Sequence, residues 1–238
     1  MKAVILAGGN GTRLKKYNHE VTGVPKPMLK LGDMPLLEIV TRQLAKHSFD
    51  DIIISTGQLS KVIEDYFTNP ENIPERVKIK FSKQEPLLGT VGPLSIIPNL
   101  NEPVLVMHGD ILTNLDFSKF WQFHNNKKAV LTLATKSLKL PAVGIIETEG
   151  EFIKGYYERA SESYLDSMSI FILGPPALKH LKKGVFFNLD RFINLLIENN
   201  EKVVAYRTDE FFKDIGTDED YEQANEIFVK NKPLFLSI

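Results

Sequence analysis

Residues 3–14 read Ala3-Val4-Ile5-Leu6-Ala7-Gly8-Gly9-Asn10-Gly11-Thr12-Arg13-Leu14. A short apolar run, rich in β-branched residues, opens the stretch, and three glycines within four positions follow it. A continuous apolar run marks a strand buried on both faces, because a half-exposed strand alternates polar with apolar residues. Similar runs recur at Ile52-Ile53-Ile54, Val104-Leu105-Val106-Met107 and Ala129-Val130-Leu131-Thr132-Leu133. Between them, residues 35–47, 59–67 and 116–126 space their apolar side chains three or four apart, which is the helical period. Strands alternating with helices of this length imply βαβ units, and so an α/β protein with a mainly parallel sheet flanked by helices. A glycine turn directly after the first strand of such a sheet lets backbone N–H groups cradle phosphate oxygens with no Cβ in the way.

From about residue 140 the pattern changes. Strand-like runs near 143–147, 152–157 and 167–173 follow one another without long helices, which reads as an antiparallel elaboration. Helical stretches follow at 188–199 and 218–231. No fixed-period repeat and no linker-like segment divides the chain. The expectation is one domain: a core over 1–135, an elaboration over 140–217 and a C-terminal helix over 218–238.

Composition narrows the function. The 238 residues carry 29 basic and 30 acidic side chains, a net charge of −1, so no global field steers the protein onto nucleic acid or an acidic membrane. The absence of cysteine excludes a disulfide framework, a zinc-thiolate site and a cysteine nucleophile. No apolar run approaches the roughly 20 residues that span a bilayer. The apolar stretch ahead of Gly8 is too short for a signal peptide, so a cytoplasmic protein is expected.

Two familiar phosphate loops fail on residue type. A dinucleotide fingerprint needs a third glycine where Leu14 stands, and an acidic residue ending a second strand is missing. A Walker loop needs Lys followed by Ser or Thr, whereas this loop offers Thr12-Arg13. The surrounding charge still suits a polyphosphate: residues 1–30 hold Lys2, Arg13, Lys15, Lys16, Lys26 and Lys30 against Glu20 alone. Lys26 sits in Val24-Pro25-Lys26-Pro27-Met28, where the prolines restrict the backbone and hold one ammonium in place.

With Val24-Pro25-Lys26-Pro27-Met28-Leu29 and Met34-Pro35-Leu36-Leu37-Glu38, the glycine loop resembles the signature of sugar-1-phosphate nucleotidyltransferases. Three further segments are similar to that family: Glu85-Pro86-Leu87-Leu88-Gly89-Thr90-Val91-Gly92, His108-Gly109-Asp110 and Phe211-Phe212-Lys213-Asp214-Ile215-Gly216-Thr217. The resemblance covers about residues 1–225. It implies a Rossmann-like fold of the nucleotidyltransferase A type, with a nucleoside triphosphate and a sugar 1-phosphate as partners and Mg²⁺ as cofactor. It implies Asp110 and Asp214 as metal ligands, and Arg13, Lys26 and Asp110 as catalytic residues. It places Leu6, Ala7, Gly8, Gly9, Gly11, Thr12, Arg13, Gln84, Pro86, Gly89, Thr90 and Gly109 on the nucleotide, and Lys26, Gly144, Glu158, Arg159 and Ser167 on the sugar phosphate. Mg²⁺ prefers oxygen ligands and phosphate co-ligands, and five scattered histidines offer softer metals no obvious site.

The sugar side departs from the family pattern. Tyr157-Glu158-Arg159-Ala160 stands where the family carries Glu-Lys-Pro, and Ser167-Met168-Ser169-Ile170-Phe171 where it carries Asn-x-Gly-Ile-Tyr. The segment Gly89-Thr90-Val91-Gly92-Pro93-Leu94 is most similar to mannose-1-phosphate guanylyltransferases, with heptose-1-phosphate guanylyltransferases related. GTP is therefore the expected donor, with UTP or CTP as alternatives and a catalytically silent nucleotide-sugar sensor as the competing class. No hexapeptide-repeat β-helix is expected, and a homodimer is a candidate assembly.

Overall fold

The computed structural model describes residues 1–9, 11 and 13–236. The strands of three residues or more are β1 (Lys2–Ala7), β2 (Asp51–Thr56), β3 (Lys78–Lys83), β4 (Val104–His108), β5 (Ile111–Thr113), β6 (Leu131–Leu140), β7 (Val143–Glu149), β8 (Phe152–Arg159), β9 (Glu162–Leu173), β10 (Val203–Arg207) and β11 (Phe212–Asp214). The longer helices are α1 (Leu36–Lys46), α2 (Ser60–Tyr66), α3 (Phe117–Lys127), α4 (Leu189–Glu198) and α5 (Asp218–Lys230). Seven strands form one sheet in the order β10-β6-β9-β4-β1-β2-β3. Pairing is parallel throughout β4-β1-β2-β3, while β9 runs antiparallel to both β4 and β6. The segment over 140–217 is thus woven into the central sheet through β9 and β10, and only the β7–β8 ribbon pairs by itself.

Alternate residues of the buried strands feed two cores, one on each face. Ala3, Ile5, Ile52, Ile54, Leu105 and Met107 share one with Leu37 of α1, Phe120 of α3 and Phe228 of α5. Val4, Ile53, Val104 and Val106 share the other with Phe171, Leu173 and Phe192. Burial on both faces explains why these strands carry no polar alternation. The expected C-terminal helix is shorter than 218–238. A capping box between Thr217 and Asp220 opens α5, and the helix ends at Lys230. A separate short helix, Lys232–Phe235, follows with Pro233 in its first turn, where the missing N–H costs nothing.

Two local features yield predictions. His124 on α3 is 3% exposed and its Nδ1 lies 2.8 Å from Thr132 Oγ1. Burial pushes its imidazole down to about 4. The unfolded chain protonates near 6.5, so stability held by the neutral ring is present above that pH and is lost as pH falls towards 4. The loss over this window reaches up to about 3 kcal/mol. His124→Gln should flatten the stability–pH curve between pH 6.5 and 4 in urea titrations. Parallel curves for the two proteins would remove His124 from the acid response.

Ser169 explains a departure noted in the sequence. It lies at φ 53°, inside the register irregularity of β9 between Ser167 and Phe171. The family pattern has glycine at this position, and a left-handed backbone favours glycine because a Cβ crowds the carbonyl there. Ser169→Gly should raise unfolding free energy by about 1 kcal/mol, read from the denaturation midpoint at constant m-value. An unchanged midpoint would show that Ser169 carries no strain.

Candidate functional site

The chain leaves β1 towards β2 on one side and later returns as β4 on the other, so the carboxyl ends of β1 and β4 flank a topological switch point. A cleft of about 330 Å³ lies there. Its lining includes Leu6, Ala7, Gly8, Gly9, Gly11, Arg13, Lys26, Gln84, Gly89, Thr90 and Asp110, contributed by the glycine loop, the proline-flanked turn, the 84–90 segment and the end of β4. Thr12, expected on the nucleotide, lies outside the described residues, as does Asn10.

Short ladders bring the charged groups together. Asp110 follows β4 in the turn to β5, and β5 pairs antiparallel with β11 so that Asp214 faces Ile111. Ile215 N–H donates to the Asp110 carbonyl at 3.1 Å, closing the junction. Two aspartates 104 positions apart in sequence thereby share one neighbourhood. Lys26 heads a 3-10 turn, Lys26–Met28, that buries Pro27 and Met28. Its Nζ lies 2.6 Å from Asp110 Oδ2 and 4.0 Å from Asp214 Oδ1. Arg13 Nη2 lies 3.8 Å from Asp214 Oδ2, and the guanidinium rests over Gly216, where a Cβ would come within 3.3 Å of Nη1. Two cations and two carboxylates therefore interlock across the cleft.

The electrostatics follow from burial. Desolvation, and then the Asp110 charge, push the Asp214 carboxyl above the usual carboxylate range, while Lys26, Arg13 and His108 pull it down. Asp110 Oδ1 is buried with no hydrogen-bond partner. A buried carboxylate oxygen without a donor is costly, and a cation restores its balance. The donor set, two carboxylates and no thiolate, is the hard oxygen set that Mg²⁺ takes when phosphates complete its shell. Among the described residues no cluster of three His, Cys, Asp or Glu forms a self-sufficient metal cage. The residues present therefore fit a cation that arrives with phosphate ligands.

Gln84 is held at both ends of its amide: Nε2 donates to Ser55 Oγ at 3.2 Å and Oε1 accepts from Leu88 N–H at 3.0 Å. Its amide also fills the space a Cβ on Gly8 would need, 2.6 Å away. The structure places other expected residues differently. Pro86 and Gly109 are not among the lining residues; Gly109 donates its N–H to the Leu6 carbonyl at 2.9 Å. Gly144, Glu158, Arg159 and Ser167 also lie outside the lining. Gly144 and Glu158 pair with each other across the β7–β8 ribbon, and Arg159 pairs with Val143. Arg159 Nε is buried without a partner.

The basic N-terminal stretch divides. Lys2 pairs with Asp51 and Lys16 with Glu222, while Arg13 and Lys26 are the basic side chains of that stretch that line the cleft. Sequence reading missed His108, Gly216, Pro27, Leu87, Phe186 and Asn188 as lining residues. Phe186 precedes the helical stretch read at 188–199, and Asn188 stands at its first position, as the N-cap of α4.

A nucleotidyl transferase family model matches residues 2–231. The chain is 30% identical over 235 residues to a D-glycero-alpha-D-manno-heptose 1-phosphate guanylyltransferase of Aneurinibacillus thermoaerophilus, covering 94% of this chain and 96% of that one. It is 29% identical over 245 residues to a UTP–glucose-1-phosphate uridylyltransferase of Synechocystis sp., where 94% of this chain spans 62% of the relative's length. Among solved structures, HddC from Yersinia pseudotuberculosis complexed with GMP-PN is 25% identical with a TM-score of 0.70, over 95% of this chain and 99% of that one. No helix among the described residues is long and apolar enough to cross a membrane. The glycine loop at the switch point, the interlocked charges beside it and a family model matched over residues 2–231 lead to one assignment: the chain belongs to the nucleotidyl transferase family.

Proposed function

We propose that the protein transfers a nucleoside monophosphate from a nucleoside triphosphate, GTP in the first place, to a sugar 1-phosphate, releasing pyrophosphate and a nucleoside-diphosphate sugar. The observation that carries this reading is the convergence of Lys26, Arg13, Asp110 and Asp214 beside the glycine loop. GTP is favoured because the relative matched over nearly its full length is a guanylyltransferase, whereas the uridylyltransferase is matched over 62% of its length.

The attacking oxygen needs no general base, since a phosphomonoester's second pKa is about 6 and the group is largely dianionic at neutral pH. The protein's task is then alignment for in-line displacement at the α-phosphorus and neutralisation of charge. Gly8, Gly9 and Gly11 offer backbone N–H groups to phosphate oxygens. Arg13, 70% exposed at the cleft mouth, is free to cover the departing β- and γ-phosphates. Lys26, deeper and held by its prolines, steadies the attacking or α-phosphate. Asp110 and Asp214 would hold Mg²⁺, which supplies Lewis-acid stabilisation of phosphoryl charge.

The test is pyrophosphate release from GTP, UTP, CTP and ATP, each with D-mannose 1-phosphate, D-glucose 1-phosphate and a heptose 1-phosphate in the presence of Mg²⁺. GTP should give the highest kcat/KM with at least one sugar phosphate. Binding of nucleotide sugar without pyrophosphate release from any pair would instead make the protein a silent sensor.

A further inference from the structure

One wall of the cleft is left without a task by the nucleotide and metal contacts. Phe186 and Asn188 line it two positions apart, while Phe187 between them packs against the second core. Phe186 is 59% exposed and is the only phenyl, phenol or indole ring among the described residues that line the cleft. A large apolar side chain held open at a site lined mostly by glycines and polar groups is a contact surface awaiting a ligand.

The wall is rigid. Val91 and Gly92 N–H groups donate to the Phe187 carbonyl at 3.0 and 3.2 Å, and Phe187 N–H donates to the Leu88 carbonyl at 2.9 Å. Leu189 N–H donates to Thr90 Oγ1 at 2.6 Å. Gly89, at φ 79°, presses against the same segment: a Cβ there would lie 2.6 Å from Asn188 Oδ1 and 2.7 Å from the Phe187 carbonyl. Asn188 precedes α4 as its N-cap residue, yet its side chain makes no capping hydrogen bond. The amide thus keeps donor and acceptor capacity for a ligand.

The wall meets the loop expected on the nucleotide at Gly89 and Thr90, but its support lies on the other side of β1 from Gln84. Gln84 continues from β3, at the edge of the sheet beyond β1 and β2. The 185–189 segment leads into α4, whose Phe192 packs with Phe171 and Leu173 of β9, beyond β4 on the opposite side of β1. An open phenyl face beside a free carboxamide matches a pyranose, which offers one C–H face and a rim of hydroxyls.

We propose that Phe186 and Asn188 seat the sugar ring of the sugar 1-phosphate and determine specificity for it. This inference rests on the transferase reading above. The wild type is first assayed with the nucleotide and with whichever of D-mannose 1-phosphate or D-glucose 1-phosphate it turns over. Phe186→Ala should then raise KM for that sugar phosphate about tenfold, the loss of roughly 1.4 kcal/mol of ring contact. The equilibrium Kd for the triphosphate, measured by calorimetry without sugar phosphate, should stay within about twofold. Phe186→Tyr should restore most of the sugar KM, and Asn188→Ala should alter the ratio of kcat/KM between the two sugar phosphates. A raised triphosphate Kd with an unchanged sugar KM would overturn the proposal and give the wall to the base. No change in either parameter would overturn it as well. A wild type with no turnover on any pair overturns the transferase reading, and this one with it, before any variant is made.

Discussion

Replacing Asp110 with Asn is expected to lower kcat for pyrophosphate release by about 10³-fold while leaving the fold in place. The side chain stays isosteric, so packing against the end of β4 is unchanged. What disappears is one formal charge at the point where Lys26 Nζ, 2.6 Å away, and the proposed metal both meet the carboxylate. Oδ1, buried and without a hydrogen-bond partner, with His108 Nδ1 3.9 Å away, is the atom whose chemistry changes most, because an amide is a far weaker ligand for a hard cation than a carboxylate. Some stability goes with it. Lys26 is 9% exposed, and its ammonium would be left with an amide oxygen and with Asp214 at 4.0 Å. That cost is about 1–3 kcal/mol, visible as a lowered melting temperature with an unchanged far-UV spectrum. A variant that keeps near-wild-type turnover at saturating Mg²⁺ would remove Asp110 from the site.

What the amino-acid sequence reveals of this protein depends on how each feature is encoded. The central strands were legible because burial on both faces forces unbroken apolar runs, as in Val104–Met107. The edge strand β3, Lys78–Lys83, was not, since it alternates Lys with Ile, Phe and Ser and is largely exposed. Charged residues on an edge strand resist pairing with another chain, and the same charges hide the strand from a hydrophobicity reading. Lys80 of this strand instead pairs with Asp51 of β2 at 2.8 Å.

The site divides in the same way. The glycine loop and the proline-flanked Lys26 announce themselves through residue types with strong backbone preferences. The meeting of Asp110 and Asp214 depends on β5 and β11, three residues each, too short to carry a periodicity. Their convergence was accessible through resemblance, and the structure supplies its physical cause in the ladder from Phe212↔Thr113 to Asp214↔Ile111. Asn188 stands at the start of a stretch legible as a helix, but nothing in the sequence places it or Phe186 in the cleft, because the conformation of that wall is imposed by hydrogen bonds to a loop about 100 positions earlier. The basic N-terminal stretch misleads in part: linear charge density does not say which side chains share a face, and Lys2 and Lys16 take partners away from the cleft.

Lys26→Met should separate two roles of the same ammonium. As a phosphate contact made in the transition state, its loss should lower kcat by roughly 10²–10³-fold, equivalent to about 3–4 kcal/mol. The second role follows from where Nζ sits without ligand: between the two carboxylates, 2.6 Å from one and 4.0 Å from the other. Arg13 adds a second positive charge at 3.8 Å from Asp214, so two cations balance two anions. A divalent cation arriving alone must compete with Lys26 for Asp110, whereas a triphosphate offers Lys26 other oxygens. Metal and nucleotide should consequently bind with positive coupling, and that coupling must be reciprocal. Methionine preserves the length of the stem and removes the competitor. Mn²⁺ titrations followed by electron paramagnetic resonance should show tighter binding to the variant than to the wild type in the absence of nucleotide. The gain in Mn²⁺ affinity on adding GTP should be smaller in the variant. Equal nucleotide-free Mn²⁺ affinities in the two proteins would mean that Lys26 does not guard the carboxylates, even if its loss slows the reaction.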